Sequence, residues 1–414
     1  MKSPTPIFDG AEHTENPFHR KQFNTACFFD KNYTVYQSEL DYEFALKFLY
    51  SYTGSSATFN SYRRELERLL QWAWLVQKRA VIGLRREDIE AYVNFARNPP
   101  KAWIGVKNVA RFREYAGERK PNPDWRPYVV SHSKELNRAG IAPKIEDYQL
   151  SQAALKATFS VLSSFYGYLI QEGVTEANPV ALIRQKSKFL QKEQTHKPIR
   201  RISNLQWSYM QELAEELAEN NPQKYERSLF VLNCLLGMYL RISEVVADER
   251  ATPTMGDFRR DMDGHWWFHV TGKGNKNRIV TVSDEMLAAL KRYRGFLQLP
   301  ALPVAGEKTP LVAKALGRGA VTSTRQIRTL LQELFDLAYE KMSSEGLADD
   351  AQDLRSATAH WLRHTGISED VKLRPREHVR DDAGHASMAT TDKYIDSDLR
   401  ERHASGRRKK LRDF

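Results

Sequence analysis

Six residues in the second half of the chain carry side chains able to act on a single phosphate. They are Arg241 in "YLRISEVV", Lys273 in "TGKGNKNR", His360 and Arg363 in "HWLRHT", His385 in "GHASMATTDKYI", and Tyr394 nine residues after that histidine. A guanidinium forks onto two phosphate oxygens at once. Imidazole exchanges protons near neutral pH, an ammonium can protonate a leaving oxygen, and a phenol can attack phosphorus. Cleaving a phosphodiester needs a nucleophile, neutralisation of a phosphorane-like transition state and a proton for the departing oxygen. One candidate for each is present, in order along the chain.

Each element also has a plainer reading. Arg241 ends an apolar helical run, and Glu244 lies one turn on, so the two can pair and Glu244 can orient the guanidinium. Lys273 sits in a glycine-flanked turn with Lys276 and Arg278 close behind. The GxxxxGK[ST] spacing of a nucleotide-binding loop is absent, and a basic tip there fits a DNA groove or is simply solvated. His360 and His364 have the spacing of a helical zinc site, but Trp361 stands where HExxH needs its glutamate, so no metal site is assigned. His360 and Arg363, one helical turn apart, can instead address the same phosphate, with His364 in support.

The elements that must position these groups follow from pattern. At 414 residues, with 41% hydrophobic and 28% charged residues, the chain has the composition of a globular protein of two ordinary domains. No apolar run is long enough to span a membrane, and the proline-containing, acidic start "MKSPTPIFDGAEHTENPF" lacks a secretory core, so a cytoplasmic protein is expected. Cys27 and Cys234 are too few for a disulfide framework, and Cys234 in "LFVLNCLLGMYL" reads as a buried hydrophobe. Lys and Arg exceed Asp and Glu by 63 to 52, a surplus that favours a polyanionic partner.

Residues 1–37 read as an irregular arm. A helical domain is expected over 38–185, where Tyr62, Leu66, Leu69, Leu70 and Ala73 form one stripe and Arg63, Arg64 and Arg68 are available to the other face, for solvent or for DNA. Residues 99–150 interrupt it with prolines and turn formers, anchored by Trp103 and Trp125. Helical spacing resumes at Leu155, Phe159, Leu162, Tyr166 and Leu169. Residues 186–201, "KSKFLQKEQTHKPIRR", form a basic linker whose Lys186, Lys188, Arg200 and Arg201 either line phosphates or stay solvated. The second domain, 202–414, is helical apart from a β-hairpin between 265 and 283, and ends in a basic tail.

A helix ending in RxSE, a GKG hairpin, an HxxRH box and a GH followed nine residues later by tyrosine resemble, in that order, the tyrosine recombinases of the phage integrase family. The resemblance covers most of the chain, its catalytic portion spanning about 200–400. It implies a mainly α fold with a small β-hairpin or sheet: a SAM-like helical core-binding domain joined to an α+β catalytic domain in a C-shaped clamp on double-stranded DNA. It implies catalytic roles for Arg241, Lys273, His360, Arg363, His385 and Tyr394, with Tyr394 forming a 3′-phosphotyrosyl bond and leaving a free 5′ hydroxyl. Arg241 and Arg363 would clamp the nonbridging oxygens, His385 would donate a hydrogen bond, His360 would accept the tyrosine proton and Lys273 would protonate the leaving oxygen. No metal or other cofactor is needed. The family further implies four protomers on two synapsed sites, with sister recombinases or DNA-bending proteins as possible partners, and a role in integrating, excising or resolving DNA elements.

Three features depart from the family pattern. Tyr239 stands where glycine is common before the first arginine, Ala383 replaces a common leucine before "GH", and 99–150 exceeds the usual core-binding domain. The neighbouring chemistries are a type IB topoisomerase and a telomere resolvase. A DNA-binding protein that has kept the fold without activity is the competitor from another class.

Overall fold

The apolar stripe of one helix organises the first half of the molecule. The computed structural model describes residues 3–13, 38–181, 183, 200–272, 276–392, 394 and 406–407, and the chain divides into two units, residues 1–195 and 196–414. The first unit contains helices α1 (Ser38–Tyr50), α2 (Ser56–Trp72), α3 (Arg86–Arg97), α4 (Lys134–Arg138) and α5 (Gln152–Gln171). Leu66, Leu69 and Leu70 of α2 and Ala73 just beyond it are buried in one core with Leu155, Phe159, Leu162, Tyr166 and Leu169 of α5. Ser151 starts α5 by accepting a hydrogen bond from the Ala154 amide at 3.1 Å.

The stretch 99–150 folds onto this core through short strands. β1 (Ile104–Gly105) pairs in parallel with β4 (Tyr128–Val129), while β2 (Phe112–Tyr115) and β3 (Glu118–Pro121) form an antiparallel hairpin. Trp103 and Trp125 are both buried, as anchors should be.

The described N-terminal residues 3–10 form no helix or strand, yet they pack on the core. Ile7 and Phe8 are buried, and Phe8 stacks on Tyr42 at 5.4 Å. The cause is an acid on α2. Glu67, fully buried, accepts hydrogen bonds from the Ile7 amide at 2.5 Å and the Phe8 amide at 3.3 Å, and pairs with Arg111. A buried carboxylate must find such partners, so it draws both the N-terminal segment and the 99–150 segment onto one helix face.

The second unit comprises α6 (Asn204–Asn220), α7 (Pro222–Gly237), strands β5 (Phe258–Arg260), β6 (Trp266–Thr271) and β7 (Asn277–Thr281), then α8 (Asp284–Phe296), α9 (Thr324–Ser344), α10 (Ala348–Ala351), α11 (Ala359–Leu373), α12 (Arg376–Ala383) and α13 (Met388–Asp392). A reciprocal cap between Ser203 and Gln206 starts α6. Leu229, Phe230, Val231, Leu232, Cys234 and Leu235 of α7 are all buried, because this helix is apolar round most of its girth and packs against α6, α8, α9 and α11. Burial pushes the Cys234 thiol well above its usual range.

The three strands form one antiparallel sheet in the order β5-β6-β7, with Phe268 opposite Val280 on the core face and Ile279 exposed on the other. The fold is thus mainly α with small sheets, as the sequence predicts. Among the described residues no helix is long and apolar enough to cross a membrane.

Candidate active site

Four loops and helix ends of the second unit converge on one place, and the local sequence explains how. Helix α11 carries His360, Arg363 and His364, and Gly366 lets it close on α7: a Cβ there would lie 2.3 Å from the Leu236 carbonyl oxygen. Helix α12 ends at Gly384 with φ +64, the left-handed conformation glycine takes without strain. The Gly384 amide donates to the Asp381 carbonyl at 3.0 Å and the His385 amide to the Arg380 carbonyl at 3.1 Å. Close approach constrains the same glycine, since a Cβ would meet the Arg278 Cδ at 2.7 Å. Beyond α13 the Tyr394 amide donates to the Thr391 carbonyl at 2.9 Å, which turns the ring back over α11.

Arg363 is 3% exposed. It donates to the carbonyls of Tyr239 and Ala383, the latter at 2.5 Å, and lies 3.4 Å from His385 Nε2. The other ring nitrogen of His385 meets Thr391 Oγ1 at 2.9 Å. Arg241 gives one guanidinium nitrogen to Glu244 Oε1 at 2.9 Å, and the same carboxylate takes both terminal nitrogens of Arg278 at 2.8 Å. Tyr394 is 8% exposed and its hydroxyl lies 2.7 Å from His364 Nδ1.

These surroundings set the charges. Burial, reinforced by Arg363, Arg241 and Arg278, brings His385 down to about 4; burial with His360, Arg363 and His385 does the same for His364. Both imidazoles are therefore neutral near pH 7. Desolvation, with Arg363 and Arg241, also lowers His360. Arg363 falls to about 10, through burial first and then Arg241 and Arg278, and remains a cation. Burial raises the Tyr394 phenol although Arg363 and Arg241 pull the other way. A neutral His364 with its proton on Nε2 accepts the phenol's hydrogen at Nδ1.

The structure brings Arg363, His364, His385 and Tyr394 into contact, and Arg241 acts on the same groups through its charge. Several positions differ from the sequence reading. Arg241 does not end a helix: α7 stops at Gly237, and Arg241 is an extended residue that opens a short turn over Ile242–Glu244. His364, not His360, meets the tyrosine hydroxyl, while the two histidine rings sit 4.0 Å apart. Arg278 is an internal residue, clamped on Glu244 and donating to the Asp382 carbonyl at 2.9 Å, rather than a groove-facing one. Arg68 is likewise committed internally, to Glu65, the Pro127 carbonyl and the face of Tyr128.

Arg63 contacts the Asp9 carbonyl and Asn60, Arg64 pairs with Glu65, Lys276 and Arg200 are exposed, and Arg201 lies 3.8 Å from Glu369. Lys273, Lys186 and Lys188 fall outside the described residues.

Sequence reasoning misses a supporting network. Tyr239 has φ +49, so it occupies the left-handed region that glycine favours. Its ring is buried and its hydroxyl meets Asp370 and Arg374. Arg374 also reaches Asp382 at 2.7 Å, and Asp382 accepts from the Thr281 amide at 3.2 Å. The Tyr239 hydroxyl is thereby linked through Arg374, Asp382 and Arg278 to Glu244, while the Tyr239 carbonyl receives Arg363.

One buried arginine, Arg363, and a partly exposed one, Arg241, lie with two neutral imidazoles and a tyrosine hydroxyl on this helical fold, a set of groups suited to binding and attacking a phosphate. No family model matches the chain. Curated relatives do: it is 30% identical over 274 residues to tyrosine recombinase XerC of Bradyrhizobium diazoefficiens, covering 63% of this chain and 73% of the relative, and 26% identical over 259 residues to XerC of Chlorobaculum parvum, covering 60% and 70%. Among solved structures, XerH bound to palindromic difH in a post-cleavage complex superposes with a TM-score of 0.53 at 15% identity, over 98% of this chain and 99% of that one. The chain belongs to the tyrosine recombinases, the site-specific enzymes that transfer DNA strands.

Proposed function

We propose that Tyr394 is the nucleophile of this recombinase on double-stranded DNA. Its oxygen attacks the scissile phosphorus, its proton passes to His364 Nδ1, and the P–O5′ bond breaks. The 5′ oxygen takes a proton from Lys273, the role the family resemblance implies. Arg363 and Arg241 hold the nonbridging oxygens, and His385 hydrogen-bonds to the same phosphate. Because the phosphotyrosyl bond conserves the energy of the diester, a 5′ hydroxyl from another strand reseals it without a nucleotide cofactor. The observation that carries this reading is the 2.7 Å contact between the Tyr394 hydroxyl and His364, beside a buried arginine whose acceptors are uncharged.

The reading extends to the assembly and its setting. Four copies act on two synapsed sites in the cytoplasm, the first unit binds the flanking duplex, and the exchange integrates, excises or resolves DNA elements. The likeness to curated tyrosine recombinases supports strand exchange, and the XerH structure of the same fold is a site-specific recombinase bound to its palindromic difH substrate.

Tyr394→Phe removes only the hydroxyl, so fold and DNA affinity should persist while covalent chemistry vanishes. A nicked substrate whose short cleaved fragment diffuses away should trap the wild-type chain on DNA through denaturing electrophoresis, and Tyr394→Phe should give no such band. A covalent band from the variant would assign the nucleophile elsewhere.

A further inference from the structure

The 99–150 segment builds something in the first unit that its anchoring role does not require. It walls a cavity of about 710 Å³ against α2 and the start of α5. Six arginines line this cavity against three carboxylates, Asp9, Glu12 and Glu65. Arg63 and Arg64 come from α2, while Arg111, Arg119 and Arg126 come from the segment.

Two observations show that this positive charge is incompletely satisfied. The Arg63 Nε is buried without a hydrogen-bond partner among the described residues. Arg111 is lowered to about 9 by burial and then by the like charges of Arg63 and Arg64, although it pairs with Glu67 and stacks on Trp125 at 4.8 Å. A third shows what fits there. The Asp9 carboxylate sits in the fork of Arg119, taking Nη2 at 2.9 Å and Nε with its second oxygen. A phosphate presents the same two-oxygen edge to a guanidinium.

We propose that this cavity is a seat for one phosphodiester of the DNA backbone, and that the Asp9 carboxylate holds the Arg119 fork until that phosphate replaces it. The proposal rests on the DNA-recombinase reading and goes beyond it by giving the 99–150 segment a binding role. Arg119 stands on an exposed two-stranded hairpin, so the fork can release a carboxylate without disturbing the core. Asp9 would then act as a competitor built into the chain, lowering affinity for loose duplex and yielding to a correctly placed one.

The test uses the full chain and a fluorescent 30-base-pair duplex, with anisotropy titrations from low to moderate KCl. Arg119→Gln with Arg126→Gln should weaken binding about tenfold, as for loss of a charge-assisted contact, and reduce the slope of log K against log salt by about 0.9, one phosphate contact. Asp9→Asn should tighten binding about threefold, as for removal of one competing charge, with the slope unchanged. An unchanged affinity and slope in the double variant, with its melting temperature intact, overturns the seat. Weaker binding by Asp9→Asn overturns the competitor role, since Asp9 would then only orient Arg119.

A third arm compares inorganic phosphate with chloride at equal ionic strength. If phosphate raises the melting temperature of the wild type alone while both proteins bind DNA equally, the cavity serves a small anion and the DNA assignment is wrong. Covalent trapping of the wild-type chain on a nicked site is run in parallel. Trapping decides the recombinase reading and the salt slope decides the seat, each independently of the other.

Discussion

Three arginines beside the first unit's cavity and three at the second unit's site are held in two different ways. In the first, Arg68, Arg111 and Arg119 each meet a carboxylate, from Glu65, Glu67 and Asp9. In the second, Arg363 meets two backbone carbonyls and a neutral histidine, and Arg241 and Arg278 share the single carboxylate of Glu244. A carboxylate partner fixes a guanidinium and offsets its charge, incompletely where like charges crowd it as at Arg111. A carbonyl fixes it and leaves the charge for a ligand, at the cost of desolvating a cation, which is why Arg363 is brought down to about 10. The acceptors, more than the number of arginines, determine which of them can serve a transition state.

The sharpest way to break this contrast is the same substitution in both units. Lysine keeps the charge of Arg363 but has one nitrogen, which cannot reach the Tyr239 and Ala383 carbonyls as a fork. Arg363→Lys should slow single-turnover cleavage by about 10²–10³-fold, the usual cost of removing a preorganised donor from a transition-state charge. Arg68→Lys keeps an ion pair with Glu65 and should leave cleavage within about twofold, its effect confined to thermal stability as for a partly buried pair. Near-wild-type cleavage by Arg363→Lys would mean that charge alone suffices there and that the carbonyl-held fork is incidental.

Glu244, the carboxylate shared by Arg241 and Arg278, tests the opposite side of the contrast. Burial alone would raise its carboxyl, but Arg278 and Arg241, with the Arg241 amide, hold it below its ordinary 4.5. A carboxyl depressed in the folded state stabilises the protein above the unfolded value and loses that contribution as pH falls through the folded value. Wild-type melting temperature should therefore drop as pH goes below 4.5, and Glu244→Gln, which no longer titrates, should drop less over that range. At pH 7 Glu244→Gln should cost about 3 kcal/mol, because two guanidiniums lose their shared counterion. A melting curve whose pH dependence is the same in both proteins would show that the clamp contributes nothing.

The helical stripes, the hairpin and the anchoring role of Trp103 and Trp125 are legible in the sequence because periodicity reports which face is buried. In the site, the order of Arg241, Arg363, His385 and Tyr394 is legible because phosphate chemistry restricts residue type. What the sequence leaves open is which of two equivalent residues faces inward. His360 and His364 share one face of α11, and only the turn at Tyr394 selects His364. Arg278 reads as one more basic residue of a hairpin, and its burial depends on Glu244 and Asp382, which lie 34 and 104 residues away in sequence. Glu67 hides its role in the same way, as an acid in an amphipathic helix whose partners are 44 to 60 residues distant.

The smallest expected effect lies at Tyr239, where the site departs from its family. Its φ of +49 costs a non-glycine residue about 1 kcal/mol. Two interactions offset that strain: burial of the ring, 1% exposed, and the hydroxyl's contacts with Asp370 and Arg374. They are separable. Tyr239→Phe keeps the ring, and Arg374 keeps Asp370 at 3.1 Å and Asp382 at 2.7 Å, so the path to the Glu244 clamp survives. The Tyr239 carbonyl that receives Arg363 is held by the backbone and the ring, not by the hydroxyl. Tyr239→Phe should therefore lose about 1 kcal/mol, one hydrogen bond, by denaturant titration, and cleave within about threefold of wild type, since each 1.4 kcal/mol is tenfold. A loss of cleavage beyond about thirtyfold at unchanged stability would place the phenol's hydrogen bond upstream of Arg363 itself. The backbone carbonyls would then be one step short of the true cause, and the difference between the two units would come down to Asp370 acting through a tyrosine.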